Sequence, residues 1–417
     1  MKSKVVFVLS LLALGVSANA GDWPEFRGPG KQGHTEQSGL PVSWDTEKNV
    51  VWKKPVPGAG WSSPVVADGK IFMTSAMNVD GEGELDPRIL CYDVKTGVML
   101  FNHRVFKLKT EHATKKHKKN GFASPTPIVR DGKVYVHFGH MGTACVDTSG
   151  KLVWKNQDLD YSPVHGNGGS PELVGDALIF SRDGKDNPNV VALHKDTGKV
   201  LWTHERDSNA TRKFSFSTPL TIEVAGKQQV ITCGSGEVSA LDPATGREIW
   251  EADYDQGYSV IPRPVYGHGM IFIATGYNKP NVLAIRVDGK GDVTNSHVAW
   301  INKRSAPHTP SLLQVGNELY MVSDGGIASC LDAHTGDVHW SERLGGNYSA
   351  SPLYGEGRVY FQSEQGEGIV IKAGKEFEVL SRNDLGEKTF ASYAVVGSDF
   401  IIRTETQLYR IGKDGAL

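Results

Sequence analysis

Cysteine is scarce: four residues in 417, at Cys91, Cys145, Cys233 and Cys330, with no two adjacent. Such a chain is not a disulfide scaffold. An excess of one charge is also missing. Lys and Arg number 45 against 47 Asp and Glu, a net charge of −2, so composition alone implies neither nucleic acid nor an anionic surface as partner. Beyond the first twenty residues no apolar run is long enough to cross a bilayer. There is no Gly-x-Ser-x-Gly elbow, no His-Glu-x-x-His and no Walker loop, which removes the readiest hydrolase and nucleotide-binding readings. Glycine, by contrast, is abundant at 48 residues, as in a chain built from many turns.

The start of the chain reads as a secretory leader. Lys2 and Lys4 precede an apolar or small run from Val5 to Val16, and Ala18-Asn19-Ala20 has the small-x-small pattern of a cleavage site. We therefore expect residues 1–20 to be a signal peptide and 21–417 a single domain, periplasmic or secreted. No cysteine follows the apolar run, which argues against a lipid anchor.

The rest is repetitive. A Ser-Pro or Thr-Pro step followed by a strand recurs at Ser63-Pro64, Ser124-Pro125, Ser170-Pro171, Thr218-Pro219, Thr309-Pro310 and Ser351-Pro352, with Pro264 and Ser392-Tyr393 in the remaining slots. A period in the forties points to propeller blades. Each unit then shows a turn such as Asp68-Gly69-Lys70, a second alternating run, a third strand ending in Asp, a Thr-Gly turn and a fourth strand ending in an aromatic, as from Leu241 to Trp250. Glycine supplies the positive φ such turns need, and the terminal Trp is large enough to pack between neighbouring sheets. The count is eight. The last unit, Phe390 to Ile411, lacks a fourth strand, and Asn49 to Trp52 at the start supplies one. The expected fold is an all-β, eight-bladed β-propeller of four-stranded antiparallel blades, its ring closed by an N-terminal strand, with no free sheet edge at the closure.

The Asp-x-x-Thr-Gly-x-x-x-Trp element resembles the repeat of quinoprotein (pyrroloquinoline quinone, PQQ) dehydrogenases and of the BamB outer-membrane assembly factor. The mature chain as a whole resembles bacterial PQQ-binding-like β-propeller repeat proteins, which open with Trp-Pro-x-Phe-Arg-Gly-Pro, here Trp23 to Pro29. They also carry stretches like Gly289 to Thr294, Ser323 to Asp332, Arg343 to Pro352 and Arg403 to Thr406. The dehydrogenase resemblance implies PQQ and calcium as cofactors, but the adjacent Cys-Cys pair of many such enzymes has no counterpart here, and no Glu/Asn/Asp set for the cation is evident. The expectation is a non-catalytic propeller that binds a small molecule, an acidic glycan or an envelope protein, acting as a monomer. A PQQ- and calcium-dependent oxidoreductase and a BamB-like assembly scaffold are the alternatives.

In a propeller, the loops between blades and those from second to third strand share one face, and here they vary most. Aromatic residues ahead of the inner strands, Trp61, Phe122, Phe216, Tyr258, Tyr348 and Phe390, are expected to ring the channel mouth on that face, with His165, Asn167, Arg263 and His308 nearby as polar contacts. The same rings would serve equally as core that plugs the channel. An insertion from His103 to Asn120, with Lys115, Lys116, Lys118 and Lys119, would form a basic arm; its His112 and His117 lack a set of metal ligands. Two oxygen-rich loops, Asn78/Asp80/Glu82/Glu84/Asp86 and Asp183/Asp186/Asn187/Asn189, have the composition of a hard-cation site or of a solvated turn. The cysteines are expected to be buried free thiols, with Cys91–Cys145 as the one pairing worth checking.

Overall fold

A computed structural model describes residues 21–77, 84–109 and 116–413. The expected leader lies outside the described residues. Eight antiparallel sheets stand around a central axis. From the inside outwards, blade 1 consists of Val65–Ala67, Lys70–Met77, Asp86–Asp93 and Met99–Arg104. The inner strands of blades 2 to 8 are Ile128–Arg130, Glu172–Val174, Leu220–Val224, Val265–Gly267, Leu313–Val315, Leu353–Gly355 and Ala394–Val396. Blade 8 is completed by Val50–Pro55, which pairs antiparallel with Gln407–Ile411, Lys53 lying opposite Tyr409. The ring closes by this one strand, as the missing fourth strand requires.

The apolar core is divided into clusters between neighbouring sheets, because a four-stranded sheet can bury its faces only against another. The repeat motif acts across these junctions. The outer-strand Trp of one blade lays its ring on the Thr-Gly glycine of the next and donates its indole N–H to a carbonyl of that turn. Trp154 donates to Lys195 O (2.7 Å), Trp202 to Pro243 O (3.0 Å) and Trp300 to Ala333 O (3.1 Å). A Cβ on Gly198 would sit 2.4 Å from the Trp154 ring, so the glycine is required by the neighbour as well as by its φ of +67°.

Blades 1 and 7 carry Phe101 and Ser381 at the Trp position, and blade 4 departs from the pattern in another way. The turn of blade 5 is an excursion whose Gly291–Asp292 pairs in parallel with Trp250 and Glu251, adding a fifth strand to blade 4. Trp250 is fully buried and bonds Gln229 of its own sheet instead.

Two of the repeat steps are displaced. Inner strands start at Ile128 and Leu313, so Thr126 and Ser311 hold the place that Ser63 holds in blade 1. Ser124-Pro125 and Thr309-Pro310 lie two residues upstream. The doubled Ser-Pro-Thr-Pro and Thr-Pro-Ser-Leu sequences conceal this shift.

Candidate functional site

Two residues ahead of each inner strand stand Ser63, Thr126, Ser170, Thr218, Arg263, Ser311, Ser351 and Ser392. Seven carry hydroxyls, and these link the blades in a ring. Ser63 N–H donates to Thr126 Oγ1 (3.0 Å), Thr126 to Ser170 (2.9 Å) and Ser170 to Thr218 (3.0 Å). Arg263 donates to Ser311 (3.0 Å), Ser311 to Ser351 (3.1 Å), Ser351 to Ser392 (2.9 Å) and Ser392 back to Ser63 (3.0 Å). The link from Thr218 to blade 5 is missing because Arg263 has no hydroxyl to receive it.

Side chains two residues earlier point the same way, since a strand repeats every second residue. Trp61, Ser124, Gly168, Phe216, Ile261, Thr309, Ser349 and Phe390 form this second ring. Together with Phe214, Tyr258, Tyr277 and the side chains of His117, His165 and His308, the two rings line a cavity of about 660 Å³ on the channel axis.

One end of the cavity is closed by the chain itself. The Trp23-to-Pro29 stretch crosses the channel, and Phe26 forms part of the cavity floor. The inner strands present unpaired backbone groups to the axis, and this segment satisfies several of them. Trp23 exchanges two hydrogen bonds with Val66 (2.8 Å each), Pro24 O accepts from Val129 (2.8 Å), and Gly33 O accepts from Tyr354 (2.8 Å).

The plug is also held by charge. Arg263 Nη2 bonds buried Glu172 (2.5 Å), Arg263 Nη1 donates to Phe26 O (2.8 Å) and Lys31 pairs with Glu172. Arg130 pairs with Glu25 at 3.1 Å. Burial works against the Glu172 charge, but Arg263 and Lys31 outweigh it and hold its pKa down. Burial, and then the neighbouring Glu172, push Glu25 up to about 7.

The other end is open, on the face of the variable loops. Trp61 and Phe390 pack at 4.5 Å between centroids, with Lys388 Nζ 5.4 and 4.7 Å from them. Arg212 lies 4.9 Å from the Tyr258 ring. The basic insertion reaches across this mouth. His117 N–H donates to His165 O (3.1 Å), and Lys119 pairs with Glu364 of blade 7 at 2.7 Å. His112 and Lys115 lie outside the described residues.

Of the residues expected at the mouth, Trp61, His165, Phe216, Tyr258, His308 and Phe390 line the cavity. Four do not. Phe122 is buried between blades 1 and 2, six residues before the start of its strand at Ile128. Tyr348 is fully buried in the core between blades 6 and 7. Asn167 is buried and donates to Phe138 O (2.7 Å). Arg263 is the clamp on the plug. Sequence reasoning missed the plug, Arg212, Phe214 and Tyr277. The hydroxyl at seven of eight equivalent positions, and an arginine at the eighth, was the available signal.

The oxygen-rich loops are occupied by the protein's own cations. Asp86 pairs with Arg88 (2.6 Å) and Arg104 (3.0 Å), and Glu84 with Lys107 (2.7 Å). Asp183 pairs with buried Arg206 at 2.8 Å. Asn78, Asp80 and Glu82 lie outside the described residues. Among the described residues no three His, Cys, Asp or Glu side chains are grouped to hold a metal ion. The one carboxylate lining the cavity among the described residues, Asp324, accepts from His308 N–H (2.7 Å) and from the amide and hydroxyl of Thr309 (3.1 and 2.6 Å). This donor set does not fit a calcium-bound quinone. All four cysteines are free and buried, and burial pushes each thiol up to about 12, so none is an activated nucleophile.

Fold and site define an eight-bladed propeller with a blind axial chamber. The chain belongs to the family described as outer membrane protein assembly factor BamB, whose profile matches residues 34–157, 86–314 and 298–376. The crystal structure of BamB from Moraxella catarrhalis superposes with a TM-score of 0.60 at 11% identity, over 87% of this chain and 98% of that one. An uncharacterized protein of Rickettsia conorii, RC0314, is 22% identical over 263 residues, which is 60% of this chain and 58% of that protein. The chain thus spans little more than half the length of that relative. A quinoprotein ethanol dehydrogenase of Pseudomonas putida is 28% identical over 147 residues, 31% of this chain and 23% of the enzyme. No helix among the described residues is long and apolar enough to cross a membrane.

Proposed function

We propose that this chain is an exported binding protein, periplasmic or secreted, that takes a ligand into the blind chamber and performs no chemistry on it. One observation carries this reading: the chain seals one end of its own channel while aromatic and hydroxyl side chains remain accessible from the other. A concave, largely apolar site with a few convergent polar groups is what small-ligand binding uses. The basic start and the Ala18-Asn19-Ala20 site support export.

The test is a thermal-shift screen of metabolites and oligosaccharides against the wild type and Ile261→Trp. Ile261 lines the chamber, and an indole there obstructs part of it. Compounds that stabilise the wild type and not the variant support the reading. A protein partner whose binding survives Ile261→Trp supports the assembly-scaffold alternative. Dye reduction after reconstitution with PQQ and Ca²⁺ would overturn the claim that no chemistry occurs.

A further inference from the structure

The chamber lining, if the chamber is the binding site just proposed, also selects a ligand class. Each of the seven ring hydroxyls accepts one N–H from the adjacent blade, and none donates to a described protein group. A hydroxyl has one hydrogen and two acceptor sites, so each retains a donor and an acceptor. All seven side chains are more than nine-tenths buried and line the cavity. A polyol, which both donates and accepts along its carbons, matches this ring. A flat aromatic acid offers acceptors at its carboxylate and little else.

The walls and the charge extend the match. Trp61 and Phe390 provide an apolar surface of the kind that packs against the C–H face of a pyranose. Lys119 is neutralised by Glu364, while Asp324 keeps its negative charge, since His308 N–H and Thr309 are neutral donors. Arg212 and Lys388 have no carboxylate within ion-pair distance among the described residues. Arg212 lines the cavity, is exposed, and donates only to the Tyr258 hydroxyl (3.0 Å). Among the described residues, two cations, Arg212 and Lys388, thus stand against the single charge of Asp324, which leaves the mouth net positive.

We propose that the chamber binds the uronic-acid end of a glycan, its ring against the aromatic wall, its hydroxyls on the Ser/Thr ring and its carboxylate on Arg212. Calorimetric titration of the full chain with trigalacturonate, with the neutral galactose trimer and with benzoate tests this. The expected result is binding of trigalacturonate that weakens with added salt and falls on the order of tenfold or more in Arg212→Ala. Arg212 is exposed, so that variant keeps the wild-type melting temperature. Equal binding of the neutral trimer, an unaffected Arg212→Ala, or tighter binding of benzoate overturns the uronide assignment. If the uronide fails while other compounds are lost in Ile261→Trp, the assignment falls and the chamber reading stands. If nothing distinguishes Ile261→Trp from the wild type, both fall.

Discussion

The junction between blades 4 and 5 is the one at which the inner hydroxyl link and the outer Trp-on-glycine lock are absent together. Inside, the hydroxyl link is absent and Arg263 occupies its place, clamping Glu172 and the plug. Outside, the Trp-on-glycine lock is replaced by the Gly291–Asp292 strand laid along Trp250. The 1/2 and 7/8 junctions, with Phe101 and Ser381 at the Trp position, still keep the hydroxyl link. At the 4/5 junction both devices are broken where the N-terminal segment needs an anchor, and the added outer strand covers Trp250 in place of the lock. Departures from a repeat thus point to the part of the ring with a second duty.

The largest way to break this comparison is Arg263→Ala. It leaves Glu172 buried beside only Lys31, and we expect a loss of about 3–5 kcal/mol in denaturant unfolding. Adding Glu172→Leu, which brings blade 3 back towards the apolar residue of the other blades, should recover much of that loss. If Arg263→Ala costs no more than a typical surface change, the clamp is not what seats the plug.

Next comes the proton on Glu25. Its folded-state value is raised from 4.5 to about 7 by burial and by Glu172, against the opposing pull of Lys31, Arg263 and Arg130. The folded state therefore binds this proton more tightly than the unfolded chain. The associated stability is complete below pH 4.5 and is lost as pH rises through about 7. Glu172, held low, has the opposite sign and loses its contribution as pH falls through the acid range. Unfolding measured from pH 5 to 8 should decline in the wild type and decline less in Glu25→Gln. Identical slopes would refute the assignment.

A matched glycine pair sharpens the outer half of the comparison. Gly198→Ala must displace Trp154 and accept a left-handed backbone, at about 3 kcal/mol. Gly291→Ala has the same backbone sign and nothing within 4 Å of its new Cβ, so only about 1 kcal/mol is expected. Equal losses in thermal unfolding would mean that the lock contributes nothing. The smallest effect is that of one ring hydroxyl. Ser351→Ala removes the acceptor of Ser311 N–H and should cost about 1 kcal/mol.

Much of the fold was legible because its signals are local and repeated. The Thr-Gly turn, the terminal Trp and the orphan strand at Val50 each state one physical need, and the structure meets it in the same place. The site was legible only in part. Trp61, Phe216 and Phe390 follow from strand parity once the strand start is known. Where the Ser-Pro-Thr-Pro sequence shifted that start by two residues, in blade 2, Phe122 lies six residues before the strand instead of four and packs in the core between blades 1 and 2. The plug was visible as a motif, Trp23 to Pro29, but its role depends on contacts to blades 40 to 330 residues away, which no local pattern reports. Arg263 read as a polar neighbour of the mouth because the sequence does not say that Glu172 and Phe26 lie beside it.

The central claim is that the blind chamber is where this protein meets its ligand. A crystal structure of the protein with trigalacturonate tests it most directly. The account predicts a sugar ring against Trp61 and Phe390, inside the Ser/Thr ring, with its carboxylate within hydrogen-bond distance of Arg212. A saccharide bound on the outer strands while the chamber holds only solvent would contradict it.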